Sequence, residues 1–335
     1  EESGKTMAMT WSMNERDASF TLMKTAFGED YTPPVAVAAA PVDFSKFSGP
    51  YMGQKPPGMT PELFESTSRI ARPIFSPDGN ELIFRASSGL MVSRLENGLW
   101  TEPRAMGFSG GDLNYSPDGR KLFFSSNNPL QKDVPPLKHM DLWVVQRTEA
   151  GWSEPVNLGP SINSEQHESW ASMAENGNLY FFRDSGGGTA QSGRGGNVVR
   201  PAPGGKPGAV DIYCSKFKDG RYAAPEKLGP EINSDAADLD PCIAPDESYL
   251  VFHSNRPGGF GLMDLYISFR DEDGSWSPAL NMGEKINSAG NESSGRVSAD
   301  GQYFFFNKGD IKTRTSGRYW ISAKIFEDLR NTAIK

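Results

Sequence analysis

The chain has 335 residues and a formal charge of −8 without a long basic run, so nucleic acid is not an expected partner. Hydrophobic residues make up 37% of it, Gly (36) and Pro (25) are frequent, and aromatic residues occur throughout. This mixture excludes a disordered polymer and favours many short strands joined by turns. No apolar stretch approaches about 18 residues, so no membrane span is expected.

The N-terminal segment, residues 1–59, departs from the pattern of the rest of the chain. It begins at Glu1 without an initiator Met, which we interpret as the trace of a removed signal segment. Residues 7–42 look like a worn copy of the unit described next. We therefore expect a degenerate blade in residues 1–59 and repeats over residues 60–335, all within a single domain.

Beyond this segment the chain is built from repeats. An octapeptide with a central Gly and a final Ile-Asn-Ser recurs at residues 157–164, 227–234 and 281–288. Phrases that recur every few tens of residues are typical of repeat architectures. Five units begin near residues 68, 110, 165, 235 and 291.

Each unit reads as four strands. The first ends in a Ser-Pro-Asp-Gly-type turn, in which Pro presets φ and Gly adopts positive φ. A short apolar strand follows, then a strand of the Asp-Leu-Tyr type, then an outer strand that begins with an aromatic residue and a Pro. The turns lie at residues 76–79, 116–119, 174–177, 244–247 and 298–301.

Four antiparallel strands repeated around a ring predict an all-β fold, a β-propeller of four-stranded blades. We expect six blades, with five as the alternative. The last unit lacks a fourth strand, and residues 60–64 look like a fourth strand without a blade. We therefore predict that residues 61–64 pair with residues 319–324 and close the ring.

The Ser-Pro-Asp-Gly turns, the Asp-Leu-Tyr strands and the loop Ser-Asn-Arg-Pro-Gly-Gly-Phe-Gly at residues 254–261 resemble the TolB-like, WD-like propeller repeat of bacterial envelope and secreted proteins. The resemblance covers about residues 60–335. It implies a propeller in the periplasm or outside the cell, and no single activity. Family members include protein-binding scaffolds, lyases and rings that precede peptidase domains.

Candidate binding residues lie where the first strands begin, at the mouth of the channel. Alignment on the turns places side chains of different chemical types at one position of the first strands. In three successive units an acidic residue lies about three positions before it. Such a mouth could hold a sugar, a basic peptide or a divalent cation. The candidates are Arg72, Asp112, Glu168, Trp170, Asp238, Asp240, Glu292 and Arg296. Trp170 is the expected anchor, since aromatic residues dominate binding hot spots. The alternative is a water-filled rim.

The three histidines, His139, His167 and His253, map to the same face, so a His/carboxylate metal site is conceivable, although no cofactor is expected. The loop at residues 183–210 is long enough to form a binding lid, or else it is a tolerated insertion. Cys214 and Cys242 could form one disulfide, but the repeat alignment does not place them as close neighbours.

We expect a non-catalytic, extracytoplasmic propeller that binds a protein or a glycan at the channel mouth. The alternative is a polysaccharide lyase or glycoside hydrolase that uses the acids and histidines of the mouth. No Gly-x-Ser-x-Gly motif indicates a serine hydrolase. The sequence gives no indication of the oligomeric state.

Overall fold

The computed structural model describes residues 62–64, 71–86, 89–97, 99–149, 151–185, 210–298, 301–310 and 315–333. They form five antiparallel sheets of four or five strands arranged as the blades of a β-propeller, together with one two-stranded sheet and one short helix. Five blades is the alternative count from the sequence. Residues 7–42, interpreted as a sixth blade, lie outside the described residues. No helix in the described ranges is long and apolar enough to cross a membrane.

The strands of the five blades follow one another along the chain. The first strand of the chain is β1 (Glu62–Phe64). Blade 1 contains β2 (Ala71–Phe75), β3 (Glu81–Ala86), β4 (Gly89–Glu96), β5 (Leu99–Trp100) and β6 (Arg104–Ala105). Blade 2 contains β7 (Gly111–Tyr115), β8 (Lys121–Ser126), β9 (Asp141–Thr148), β10 (Gly151–Trp152) and β11 (Val156–Asn157). Blade 3 contains β12 (His167–Met173), β13 (Leu179–Asp184), β14 (Val210–Ser215), β15 (Phe217–Lys218), β16 (Arg221–Tyr222) and β17 (Glu226–Lys227).

The last two blades complete the ring. Blade 4 contains β18 (Asp238–Ile243), β19 (Tyr249–Ser254), β20 (Asp264–Phe269) and β21 (Leu280–Asn281). Blade 5 contains β22 (Asn291–Val297), β23 (Tyr303–Asp310) and β24 (Thr315–Ser322), and it is followed by helix α1 (Ile325–Ala333).

Blade 5 takes its outer strand from the beginning of the chain. Strand β1 pairs antiparallel with β24, with Leu63 opposite Tyr319. The segment that the sequence singles out as a closing strand therefore lies on the open edge of the last blade. This arrangement joins the two ends of the ring and leaves that edge paired.

The core lies between neighbouring blades, because each sheet buries apolar side chains on both faces. One cluster joins blades 4 and 5 and includes Val251, Phe304 and Ile321. Helix α1 packs on the same cluster through Phe326, whose ring lies 5.2 Å from that of Phe304. Similar clusters join blade 1 to 2, 2 to 3 and 3 to 4.

The turns after the first strands explain why Ser-Pro-Asp-Gly recurs. The amide of Gly79 donates to the carbonyl of Ser76 at 2.8 Å, and the Ser76 hydroxyl accepts from the amide of Glu81 at 2.9 Å. The fourth position needs positive φ, which favours Gly. It has φ of 72°, 68°, 88° and 70° at the four glycines and 60° at Glu247 in the fourth blade.

Candidate functional site

The aligned positions at the channel share an unusual backbone. Every first strand contains a register shift that inserts unpaired residues against the second strand. In four blades a non-glycine residue at this bulge has φ between 48° and 57°: Asp112, Trp170, Asp240 and Ser294. In blade 1 the shift lies between Ala71 and Ile74, so Arg72 falls within it. Bulges re-aim side chains, and here they repeat as part of the fold.

The acidic residues predicted to line the mouth are buried and hydrogen-bonded within the protein. Glu168, Asp238 and Glu292 are fully buried, at 0% exposure. Each carboxylate accepts hydrogen bonds from the serine that ends the preceding Ile-Asn-Ser phrase. The Ser234 amide and hydroxyl donate to Asp238 at 2.7 and 2.9 Å, and those of Ser288 donate to Glu292 at 3.0 and 2.6 Å.

A cation completes the network in two blades, from the second strand in blade 3 and from the loop just after the second strand in blade 4. Arg183 donates to Glu168 at 2.6 Å, and Arg256 donates to Asp238 at 2.6 Å. In blade 5 the equivalent Lys308 donates to the carbonyl of Ile286 at 3.1 Å. Burial raises the pKa of Glu292, and the bonds from Ser288 and the charge of Lys308 oppose this shift. These three acids are thus struts within blades and do not line an open binding rim as predicted.

The asparagine of each Ile-Asn-Ser phrase links its segment to the third strand through two hydrogen bonds, a contact called the staple below. Asn233 accepts from the amide of Ile212 at 2.8 Å and donates to the carbonyl of the same residue at 2.9 Å. Asn163 makes the same pair of bonds to Leu142, and Asn287 makes it to Leu265. The repeated phrase therefore fastens each crossing segment to the third strand of the blade it leaves.

Trp170 does not stand at an open rim. Its side chain is 1% exposed and packs with Phe182, Leu239 and Met263. The guanidinium of Arg296 lies 4.7 Å from the Trp170 ring. Arg296 also donates to Asn114 Oδ1 and to the Leu113 carbonyl, both at 2.8 Å. Arg296 thus connects blade 5 to blades 2 and 3.

The remaining acidic candidates face neighbouring side chains. Asp112 accepts from the Ser169 hydroxyl at 2.6 Å, and that hydroxyl lies 2.5 Å from the hydroxyl of Ser125. Asp240 is 3% exposed, and its Oδ2 lies 3.8 Å from Nδ1 of the buried His253. The structure therefore brings Trp170 to Arg296 and Asp240 to His253, and it places Asp112 beside blade 3.

The three histidines have different neighbours. His139 Nε2 lies 3.2 Å from Asp141, whereas His167 stacks on Phe182 with ring centroids 6.4 Å apart. Burial lowers the pKa of His167, against an opposing effect of Asp184. Within the described residues, no group of three His, Cys, Asp or Glu side chains is arranged to hold a metal ion.

The two cysteines are both free thiols, and Cys214 is buried. Burial raises its pKa to about 11. A disulfide between them is not formed, in agreement with the separation that the repeat alignment gives.

Sequence reasoning missed two carboxylates that clamp blades together. Glu81 accepts from Arg147 of blade 2 at 2.7 and 3.0 Å and from the Tyr115 hydroxyl at 2.8 Å. Glu247 accepts from the Tyr180 hydroxyl of blade 3 at 2.7 Å and from Arg270 at 2.7 Å. Burial alone would raise both pKa values, but these hydrogen bonds outweigh it and lower them. The sequence did contain one indication of the second clamp, because Glu247 occupies the turn position that holds Gly in the other four blades.

The face from which the loops between second and third strands emerge carries exposed apolar side chains. Leu130 (56% exposed) and Val134 (42%) lie on the loop between β8 and β9. Phe260 (49%) and Leu262 (51%) lie on the loop between β19 and β20. The β13–β14 loop lies between them in the chain, but residues 186–209 of it are outside the described residues.

A cavity of about 30 Å³ lies beside the channel, against blade 5. Trp170, Ser294 and Arg296 line it on the channel side. Asn307 and Arg318, neighbours across β23 and β24, line it on the sheet side.

The whole arrangement defines a five-bladed β-propeller in which Arg296 of blade 5 contacts Trp170 of blade 3. No protein-family model and no curated protein matches the sequence. Among solved structures, the chain is similar to a protein assigned as TolB from Agrobacterium tumefaciens, with a TM-score of 0.46 and 17% identity over 73% of this chain and 72% of that one. It is similar to TolB from Acinetobacter baumannii, with a TM-score of 0.43 and 14% identity over 77% of this chain and 55% of that one.

A third similar structure is a puromycin-hydrolyzing peptidase from Mycobacterium tuberculosis, with a TM-score of 0.42 and 16% identity, covering 75% of this chain and 38% of that one. The propeller fold rests on the arrangement of the sheets in this chain itself. Likenesses at these identities and TM-scores carry no argument about activity.

Proposed function

We propose that this protein is a non-catalytic β-propeller that acts outside the cytoplasm and binds a protein partner at the channel mouth, through the loops between second and third strands. Loops on a rigid scaffold are the usual carriers of binding function. The proposal commits to the loops, since Trp170 is buried and Arg296 is engaged with Trp170 and Asn114.

The observation that carries the proposal is the position of the exposed apolar side chains. Five large apolar residues are exposed among the described residues, and four of them lie on two loops of one face. Single exposed apolar residues are ordinary, whereas several on one face are typical of protein-interaction surfaces. The fifth, Val156, lies on the outer strand β11.

The loop between β19 and β20 is held in place while its side chains point outward. The amides of Phe260 and Gly261 donate to Asp264 at 2.5 and 3.1 Å, and the amide of Leu262 donates to the Gly290 carbonyl at 2.8 Å. A Cβ at Gly261 would lie 2.3 Å from the Ser288 carbonyl oxygen, so only Gly fits there. Apolar groups on a fixed backbone lose little entropy on binding.

A protein partner is favoured over a glycan by the kind of side chain exposed. Glycan binding through the predicted Trp170 would need an exposed ring, and that ring is buried. Three of the four exposed loop residues, Leu130, Val134 and Leu262, are aliphatic and offer apolar contact without a flat face for stacking, and Phe260 is the one aromatic ring among them. The carbohydrate-enzyme alternative depended on acids such as Glu168 and Asp238, which are hydrogen-bonded to arginines inside their blades.

Site-specific photo-crosslinking in the cells that make the protein tests the proposal. A photo-reactive residue at position 262 or position 130 is expected to trap one discrete partner protein. The same residue at position 156, equally exposed but on the outer strand, is the matched control and is expected to trap none. Trapping of the same protein from all three positions, or of none from positions 130 and 262, would refute the proposal.

The double variant Phe260→Ser/Leu262→Ser extends the test to affinity. We expect a partner found by crosslinking to bind at least about tenfold more weakly, because each truncated interface anchor commonly costs more than 1 kcal/mol. Val156→Ser is expected to bind like the wild type. Fractionation of the same cells tests the location, and recovery in the cytoplasmic fraction would contradict that part.

A further inference from the structure

The two loops that carry the exposed apolar side chains are attached to equivalent aspartates in different ways. Asp141 and Asp264 each begin the third strand of a blade, directly after the loop, and both are buried. In each blade one carboxylate oxygen accepts from an asparagine of the outer strand, Asn157 or Asn281, at 2.7 Å. The difference between the two blades lies in what the loop offers to the carboxylate.

In blade 4 the loop offers backbone amides. Those of Phe260 and Gly261 donate to Asp264 at 2.5 and 3.1 Å. A backbone amide is an obligatory donor that keeps its proton at every pH used for folded proteins. The β19–β20 loop is therefore attached by donors that do not change with pH, and it serves as the reference for the other loop.

In blade 2 the loop offers the imidazole of His139. Its Nε2 lies 3.2 Å from Asp141 Oδ1, and this buried oxygen receives no aligned hydrogen bond within the described residues. A misaligned neutral imidazole contributes little to such a contact, whereas a charged imidazolium is attracted to the carboxylate in any orientation. Histidine is the side chain that ordinarily changes its charge between about pH 5 and 8, so this attachment depends on pH.

The β8–β9 loop has few other attachments. Residues 129–136 are exposed and form no hydrogen bond, ion pair or ring contact with the rest of the described chain. The amide of Leu137 donates to the carbonyl of Asn127 at 2.9 Å and closes the base of the loop. Within the described residues, the His139–Asp141 contact is the one ion pair that ties this loop to its blade.

The groups around the pair set the direction of the pH effect. The charged and titratable ones are Glu168 with its partner Arg183, and His167 with Asp112 and Asp184. Burial raises the pKa of Asp141, and the hydrogen bond from Asn157 and the charge of His139 oppose this shift. Burial lowers the pKa of His167, so that residue gains its charge at a lower pH than an ordinary histidine and opposes a charge on His139 only there.

From these contacts we propose that His139 is a positioning residue for the binding face, which holds the β8–β9 loop on its blade at mildly acidic pH and releases it as the imidazole loses its charge. The inference rests on the proposed function, because Leu130 and Val134 of that loop belong to the face. Apolar groups on a held loop lose less entropy on binding than those on a loose one. Partner binding is therefore tighter at mildly acidic pH than above neutrality.

Hydrogen–deuterium exchange of the purified full chain at about pH 5.5, 6.5 and 8 tests the proposal without any partner. Each rate is divided into that of an unstructured peptide at the same pH, which removes the intrinsic pH dependence of exchange. We expect protection over residues 127–140 to be at least about threefold higher at the lowest pH than at the highest, because a charge-assisted hydrogen bond is roughly twice as strong as a neutral one. Residues 255–263 of the β19–β20 loop should show equal protection at all three pH values.

Three variants locate the effect. His139→Gln removes the titratable charge and should abolish the pH dependence of protection. His139→Lys carries a charge that does not titrate in this range and should keep the loop protected at the highest pH; a lysine suits this place, since Lys227 Nζ lies 2.7 Å from the equivalent Asp211 of blade 3. Lys138→Gln removes an exposed charge of the same loop and is the matched control, expected to respond to pH like the wild type.

Two results would overturn the inference: protection of residues 127–140 that does not change with pH in the wild type, or an unchanged pH dependence in His139→Gln. These results are distinct from a failure of the proposed function. If a partner is trapped by crosslinking while exchange is independent of pH, the further inference alone fails. If exchange follows pH as expected and no partner is trapped, the role in binding fails and the pH-dependent attachment of the loop stands.

Discussion

Replacement of Trp170 tests the contact between its buried ring and Arg296, which joins blades 3 and 5. A Trp at an open rim would contribute to binding and little to stability. The structure has Trp170 at 1% exposure, packed with Phe182, Leu239 and Met263 and covered by Arg296. We therefore expect Trp170→Ala to act on stability.

The magnitude follows from these contacts. Truncation of a buried Phe or Trp to Ala costs about 3–5 kcal/mol, and loss of a desolvated cation–π contact adds up to about 2 kcal/mol. We expect Trp170→Ala to lower the free energy of unfolding by about 4 kcal/mol or more, a large part of the roughly 5–15 kcal/mol typical of folded proteins. Trp170→Phe keeps most of the ring and should lose much less.

The positive φ of Trp170 supplies a second signature. At φ 57° an alanine keeps the left-handed strain, whereas a glycine has none. Trp170→Gly should therefore be at least as stable as Trp170→Ala, although Gly in a strand is ordinarily the worse residue by about 0.5–1 kcal/mol.

Urea unfolding followed by far-ultraviolet circular dichroism measures all three variants. The midpoints should fall in the order wild type, Trp170→Phe, then Trp170→Gly and Trp170→Ala. A wild-type midpoint for Trp170→Ala would refute the reasoning, because a side chain with these contacts cannot be lost without cost. A midpoint for Trp170→Gly far below that of Trp170→Ala would refute the assigned backbone conformation alone.

Three further outcomes are expected. Asn233→Ala, which removes the paired bonds to Ile212, should lower the unfolding free energy by about 2–3 kcal/mol in urea denaturation, and an effect below about 0.5 kcal/mol would show that the staple is unimportant. Hydrogen bonds lower the folded-state pKa of Glu247, so the stability that its carboxylate supplies is present above its unfolded pKa and is lost as pH falls through the folded pKa. The stability advantage of the wild type over Glu247→Gln should therefore shrink from about pH 6 to about pH 3. A stability difference that stays constant with pH would contradict the clamp. Deletion of residues 1–66, which removes β1 from β24, should lower the melting temperature of the whole protein in one cooperative transition, and an unchanged melting temperature would mean that β1 is not needed to close the ring.

The blade pattern could be predicted because its signals are local. Ser-Pro-Asp-Gly specifies a turn through the φ values that Pro and Gly adopt, and the short apolar runs after it are long enough for one strand each. The position of β1 also followed from the sequence, since the last unit lacks a fourth strand and residues 60–64 have that strand's pattern. The number of blades did not follow, because a ring can close at several sizes with the same local unit.

The role of the acids was misjudged because chemistry was inferred from position alone. Glu168, Asp238 and Glu292 recur at one place in successive blades, each four residues after a serine. A side chain repeated at equivalent places more often serves the repeat than a ligand, and that reading was available from the sequence.

What only the tertiary structure decided is how residues from different blades meet in the channel. Trp170 and Arg296 belong to blades 3 and 5, and no spacing in the sequence links them. Their contact depends on the radius of the ring and on bulges that turn their side chains inward. Local interactions determined each blade of this protein, whereas the closure of the ring determined which side chains fill its centre.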